Sequence, residues 1–177
     1  DSSGQLVILA SDINNGSWDN CGIANISING SQSAQTFDCT NVGVNTVTLT
    51  VTDLYGNSSS CTASVTVIDT IAPTAVCQNI TVALDANGQL VITAADIDNG
   101  SFDNCGSVTL TVNGSQSSQT FDCTNVGDQT VTLTVTDQFG NSSNCTATVT
   151  VIDTITPTAI CQNITVALDS SGQLVIL

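Results

Sequence analysis

Three features predict an all-β chain of tandem immunoglobulin-like β-sandwich domains. Thr alternates with aliphatic residues in several stretches, short Gly/Asn/Asp turns separate them, and the whole pattern repeats every 84 residues. The period is read from Asp1-Ser2-Ser3-Gly4-Gln5-Leu6-Val7-Ile8-Leu9. This stretch returns with few changes as Asp85 to Thr93 and again, letter for letter, as Asp169 to Leu177. The 177 residues therefore hold two copies of a unit and the start of a third. A period of this length marks a tandem array whose neighbours are built alike.

The elements follow in order along the second copy. Strands are expected at 79–84 and 89–97, joined by the turn Asp85-Ala86-Asn87-Gly88. After Asn99-Gly100 come strands at 107–113 and 118–122, separated at Asn113-Gly114 and closed by Asn125-Val126-Gly127. Thr130 to Asp137 alternates Thr with Val or Leu, the period of a half-buried strand, and Thr46 to Asp53 repeats it one unit earlier. Residues 137–144 turn the chain into a last alternating strand at Thr146–Val151, which makes a hairpin. No segment carries a 3.6-residue apolar repeat, so no helix is expected. Six or seven short antiparallel strands per unit are the count of an immunoglobulin-like sandwich.

Pro73 and Pro157 cannot donate to a ladder and mark the linkers, Ile68 to Pro73 and Ile152 to Pro157. The domains then run 1–68 (lacking a first strand), 69–152 (complete) and 153–177 (a beginning). Neither linker is Gly/Ser-rich, which predicts a nearly fixed relation between neighbours and hence a semi-rigid rod.

Charge narrows the function. The chain has no Lys, Arg or His, and its 15 acidic residues are all Asp. No side-chain ion pair can form, so each Asp must be solvated, bonded to backbone N–H groups or matched by a cation. A net charge of −15 disfavours nucleic acid and anionic membrane as partners. No run of 18 apolar residues occurs, so no membrane insertion is expected in this segment. Without His or Lys there is no ordinary base to activate a Ser or Cys nucleophile, and enzymatic activity is not expected.

Cysteines recur with the period at 21, 39, 61 and 77, then 105, 123, 145 and 161. With no His and no C-x-x-C spacing, disulfides are favoured over zinc, and they imply an oxidising, extracellular setting. Cys77 opens the first strand of the complete unit and Cys145 the last; these strands should lie side by side and parallel, which pairs Cys77 with Cys145. That assignment leaves Cys105 with Cys123 and, one unit earlier, Cys21 with Cys39. Four cysteines allow three connectivities, and the sequence leaves them open. Cys61 and Cys161 then look beyond the chain for partners, unless Cys61 joins Cys77 across the linker.

Asp96, Asp98, Asp103 and Asn104 crowd the loop between the second and third strands. Hard oxygen ligands at this density suit a structural Ca²⁺. The bland alternative is that they cap turns through nearby N–H groups. Topology puts this loop at one end of the sandwich with Asp137 and linker residue Asp69, so these join the candidate ligand set; Asp137 can equally be an Asx cap of its own turn. In the first copy the corresponding candidates are Asp12, Asp19 and Asp53, with Asn14 in place of Asp98, which predicts weaker binding there. Trp18 and Phe102 share one repeat position and are expected as a buried plug beneath this loop.

The string Val131-Thr132-Leu133-Thr134-Val135-Thr136-Asp137, with Gly140-Asn141 and Cys145 to Val151, resembles the end of the hyalin-repeat domain. Cys77-Gln78-Asn79-Ile80-Thr81-Val82 and Asp96 to Gly106 are similar to tandem repeats of giant Bacteroidota surface adhesins of the gliding-motility type, exported by type IX secretion. The resemblance covers essentially the whole chain and implies an immunoglobulin-like fold, a bacterial cell-surface location and a role in adhesion or motility. It also makes Asp69-Thr70-Ile71 and Asp153-Thr154-Ile155 candidate O-glycosylation sites, at Thr70 and Thr154.

The leading expectation is a structural stalk that presents an unseen adhesive tip to glycans or to a host or abiotic surface. Its main partners would be neighbouring repeats of the same chain. Alternatives are repeats that themselves bind carbohydrate or a host ligand, and a filament subunit that exchanges strands with its neighbours.

Overall fold

The computed structural model describes residues 3–30, 32–114 and 116–173. Residues 174–177 of the third unit's opening lie outside them. The first unit contains β1 (Gln5–Leu9), a single helical turn α1 (Ala10–Ile13), β2 (Ile23–Ile28), β3 (Ala34–Asp38), β4 (Gly43–Asp53) and β5 (Ser58–Val67). The second contains β6 (Ile80–Ala83), β7 (Gln89–Thr93), the turn α2 (Ala94–Ile97), β8 (Val108–Val112), β9 (Ser118–Asp122), β10 (Gly127–Asp137) and β11 (Ser142–Ile152).

In the second unit a four-stranded sheet in the order β6-β11-β10-β8 faces the pair β7-β9. All ladders are antiparallel except β6 against β11, which is parallel with Ile80 opposite Val149 and Val82 opposite Val151. This is the all-β sandwich of immunoglobulin type that the alternation predicts. One strand is shorter than expected. Residues 94–97 form α2 rather than extending β7, because the Asp96 carboxylate accepts from both the backbone N–H (2.7 Å) and the hydroxyl (2.9 Å) of Thr93 and closes a capping box.

The inward positions of the alternating strands supply the core. Ile92, Ile97, Val112, Leu133, Val135, Val149 and Val151 are essentially inaccessible, with Phe121 and Leu84 closing the ends. Thr occupies the outward positions, where a β-branched side chain suits the pleated surface.

Among the described residues, the first unit repeats this plan with one strand fewer. Its sheet is β2-β4-β5 over the pair β1-β3, and its core is smaller. Leu6 is 44% exposed where its equivalent Leu90 is 9% exposed, and Ile13 is partly open where Ile97 is sealed. Replacing Ile97 with Ala is therefore expected to cost about 3 kcal/mol, while Ile13→Ala costs markedly less. Denaturant melts of the two variants check this.

Candidate functional site

Two structures meet where the first unit joins the second. The first is covalent: Cys39, just past β3, is bonded to Cys105 in the loop before β8. Cys77–Cys145 is the other disulfide and lies inside the second unit, as the parallel β6/β11 arrangement predicts. The expected Cys105–Cys123 and Cys21–Cys39 pairs do not form. Cys123 sits at the far end of its unit, its thiol 3.8 Å from the carbonyl of Gly88, whereas Cys105 lies at the near end. The 11 residues of β10 run between those ends, roughly 30 Å at strand rise, and a disulfide needs Cα atoms within about 7 Å. Cys21, Cys61, Cys123 and Cys161 are free and exposed, so Cys61 does not join Cys77.

Gly4 makes the close approach possible. A Cβ there would stand 2.6 Å from Cys39 Sγ and 3.3 Å from the Asn104 carbonyl, and its φ of +70° lies in the left-handed region that favours glycine. Around the disulfide, Leu6, Phe37, Val67 and Ile71 line a small cavity of about 160 Å³ between the units.

The second structure is a carboxylate cluster. Asp69 from the linker, Asp103 from the loop before β8 and Asp137 from the end of β10 bring one oxygen each within 4.8 Å of one another. Asp137 is 6% exposed. Its Oδ1 accepts from the backbone N–H groups of Phe139 and Asn141, both at 2.8 Å, and its Oδ2 from the Asn141 amide at 2.8 Å. It is thus an Asx cap and a cluster member together. Cys105 N–H donates to Asp103 Oδ2 at 2.7 Å, and the Asn141 amide also donates to the Asp69 carbonyl at 3.3 Å. Among the described residues, three buried side-chain oxygens have no hydrogen-bond partner: Asp69 Oδ2, Asp103 Oδ1 and Asn104 Oδ1.

An orphaned buried acceptor is costly, and like charges at this spacing repel by roughly 3 kcal/mol per pair at an effective dielectric of about 20. The donor set fits a hard divalent cation. Oxygens on opposite sides of a Ca²⁺ at about 2.4 Å stand about 4.8 Å apart, and carboxylate and amide oxygens are its usual ligands.

The remaining predicted ligands are used elsewhere. Asp96 caps α2, and Asp98 accepts from the N–H groups of Ser101 (3.0 Å) and Gly100 (3.3 Å). Asn14 accepts from Ser17 N–H at 3.0 Å in the same way, so Asn replaces Asp there without loss, and the exchange says nothing about cation affinity. In the first unit Asp12 caps Leu9, Asp19 accepts from Cys21 N–H, and Asp53 caps its hairpin turn through Tyr55 and Asn57. Asp19 and Asp53 correspond to Asp103 and Asp137; among the described residues they have no third carboxylate beside them. Trp18 and Phe102 are 83% and 60% exposed, not the expected plug. Only the backbone of Phe102 is held, by paired hydrogen bonds to Thr74. Thr70 and Thr154 are exposed.

Several turn carboxyls are held below their ordinary range. Burial raises Asp137, but the Asn141 amide and the backbone N–H groups of Asn141, Phe139 and Gly140 outweigh it. Asp53 is lowered first by the Asn57 amide, and Asp85 by the N–H of Gln89. A carboxyl with a depressed native pKa contributes stability that is complete above the unfolded value and is lost as pH falls through the native one. In chelator, the melting temperature is therefore expected to hold steady down to about pH 4 and decline below it. A decline already under way at pH 6 would contradict this assignment.

Residues 68–151 match the HYR domain. The chain is also 35% identical over 117 residues to the "Serine-rich adhesin for platelets" of Staphylococcus aureus strains MRSA252 and MSSA476. The match covers 60% of this chain but only 8% and 5% of those proteins, so the chain spans a small fraction of the curated relatives it matches. Among solved structures, the extracellular cadherin domains 1–4 of Protocadherin Gamma B7 align with 75% of this chain and 42% of theirs. The identity is 14% and the TM-score 0.38, too weak a likeness to carry an argument. No helix among the described residues is long and apolar enough to cross a membrane.

Proposed function

We propose that the chain is a stalk segment of a long extracellular bacterial adhesin, in which successive repeats hold an adhesive tip away from the cell. The similarity to the staphylococcal adhesins supports an adhesin-like surface repeat. The resemblance to gliding-motility adhesins of the Bacteroidota adds export by type IX secretion and a role in motility. On this reading the segment has no catalytic task, and its working partners are the repeats on either side.

The observation that carries the proposal is the junction. A disulfide, a small apolar contact and a three-carboxylate cluster all lie where one unit meets the next. A linker with these features resists bending, which a stalk requires and a freely jointed chain does not provide. Asp69, Asp103, Asn104 and Asp137 would hold Ca²⁺, which would supply the positive charge that no side chain here can offer. Because Asp69 belongs to the linker and the others to the second unit's loops, the ion would fix the linker's exit direction.

X-ray scattering of the chain in calcium, in chelator, and in chelator plus thiol tests the reading. The maximum dimension and cross-section are expected to be those of an extended rod in calcium and to broaden on removing both ties. A particle that bends equally under all three conditions would overturn it. The exposed Phe102 ring favours a second reading, in which the repeats stack sugars themselves. Retention of the chain on a glycan array, abolished by Phe102→Ala, would support that instead.

A further inference from the structure

We infer that the chain is a covalently redundant tether. Its two disulfides interlock, so tension crosses the junction through Cys39–Cys105, and a single break anywhere between Cys39 and Cys145 leaves the two sides joined. The inference rests on the stalk reading for its purpose and adds what the junction does under load and under proteolysis.

The order of four positions sets the covalent topology. Cys39 is bonded to Cys105 and Cys77 to Cys145, so each bond closes a loop that contains one end of the other. The backbone between Cys39 and Cys145 is thereby divided into three arms, 40–76, 78–104 and 106–144. A cut in the first arm leaves the route across Cys39–Cys105 and on through the third. A cut in the third leaves the first arm and the Cys77–Cys145 bond. Cuts in two arms still leave one route, and only a cut in all three separates the sides. Nothing in this depends on what precedes Cys39 or follows Cys145. Pairing Cys21 with Cys39 and Cys105 with Cys123 would instead have left the linker as the sole covalent connection between the units.

The vulnerable places lie within the arms. Tyr55, Phe102 and Phe139 stand on loops and are 78%, 60% and 38% exposed, one in each arm. Exposed loop tips are the preferred sites of proteolytic nicking. The linker lies in the first arm, where the Asp69 carbonyl is held by the Asn141 amide at 3.3 Å and the Pro73 carbonyl by the Ser143 hydroxyl. Tension entering the second unit along the linker would pull Asp69 out of its carboxylate cluster and then peel β6 from β11. The Cys39–Cys105 bond delivers it to Cys105 instead, whose carbonyl accepts from the Gln138 amide at 2.7 Å. The strands β4 and β5 and the linker then hang slack inside a loop of sequence separation 66.

The test uses the oxidised 177-residue chain with its free thiols, Cys21, Cys61, Cys123 and Cys161, alkylated. It is digested briefly with chymotrypsin in dilute urea and weighed before and after reduction. Chains cut once after Tyr55, Phe102 or Phe139 are expected to keep one mass until reduction and then to give two fragments. Trp18 lies outside the arms, and a cut there should release residues 1–18 without reduction, which serves as the control. Stretched between its ends in optical tweezers, the unfolded oxidised chain is expected to be roughly 260 Å shorter than the same chain after reduction, at about 3.5 Å per residue. Because Cys77–Cys145 still bypasses most of the same backbone, Cys39→Ala/Cys105→Ala should regain only about 30 Å of this. Fragments that part without reduction after one cut in an arm would overturn the inference. So would a double variant that regains most of the missing length. Neither readout involves calcium or bending, so failure here leaves the scattering test of stiffness standing, and a flexible junction would leave the covalent bypass intact.

Discussion

Calcium is expected to raise the melting temperature of the second unit by on the order of 10 °C, and Asp103→Asn to abolish most of that rise. An ion present at about 100 times its Kd stabilises the native state by about 2.7 kcal/mol, and a domain of this size gains roughly 4–8 °C per kcal/mol. The variant separates a cation site from simple turn capping. Its side-chain amide oxygen would still accept the Cys105 N–H that Asp103 Oδ2 accepts at 2.7 Å, so the local turn survives. In chelator the variant removes one of three neighbouring carboxylates and relieves their repulsion, so it should melt no lower than the wild type. In calcium it should melt well below it. Calorimetry of both proteins in both conditions checks this crossing of order. A variant that melts lower by the same amount with and without calcium would reduce the cluster to a set of caps.

Replacing Cys77 and Cys145 together with Ala is expected to destabilise the second unit by about 4 kcal/mol, the loop-closure term for a separation of 68 residues. Against a typical domain stability of about 5–15 kcal/mol this leaves the unit marginal. The bond ties Cys77, just before β6, to β11, so its loss also loosens the parallel edge strand that covers Val149 and Val151. The Cys39→Ala/Cys105→Ala pair should behave differently. That bond joins two separately cored units, so its removal lowers the melting temperature less and shows mainly as a broader distribution of scattering dimensions. Equal losses of melting temperature in the two double variants would mean that the junction is as much a part of the folding unit as the core.

Much of the architecture could be read locally. Strand alternation is set by the two-residue period of a pleated backbone, so Thr130 to Asp137 and Thr146 to Val151 carry their own assignment, and the Asn/Asp/Gly turns carry theirs. The Asp137 cap was also legible, because its hydrogen-bond partners lie within four residues. The one-turn helix at 94–97 was missed because a single turn is too short to show a 3.6-residue period. The Thr93-x-x-Asp96 spacing, an acidic capping box, was the signal available.

The chain by itself determined the period, the strand faces, the turn residues and the absence of any internal counter-charge, because each depends only on neighbours in sequence. Tertiary structure decided which acids converge and which cysteines bond. Asp69, Asp103 and Asp137 are far apart in sequence and meet only because the linker, the loop before β8 and the end of β10 share one end of the sandwich. In a periodic chain, a cysteine's partner in its own copy and its partner in the next copy look alike on paper. Cys105 bonds to Cys39 rather than Cys123 because a disulfide spans a few ångströms and the sandwich sets its two ends a full strand apart.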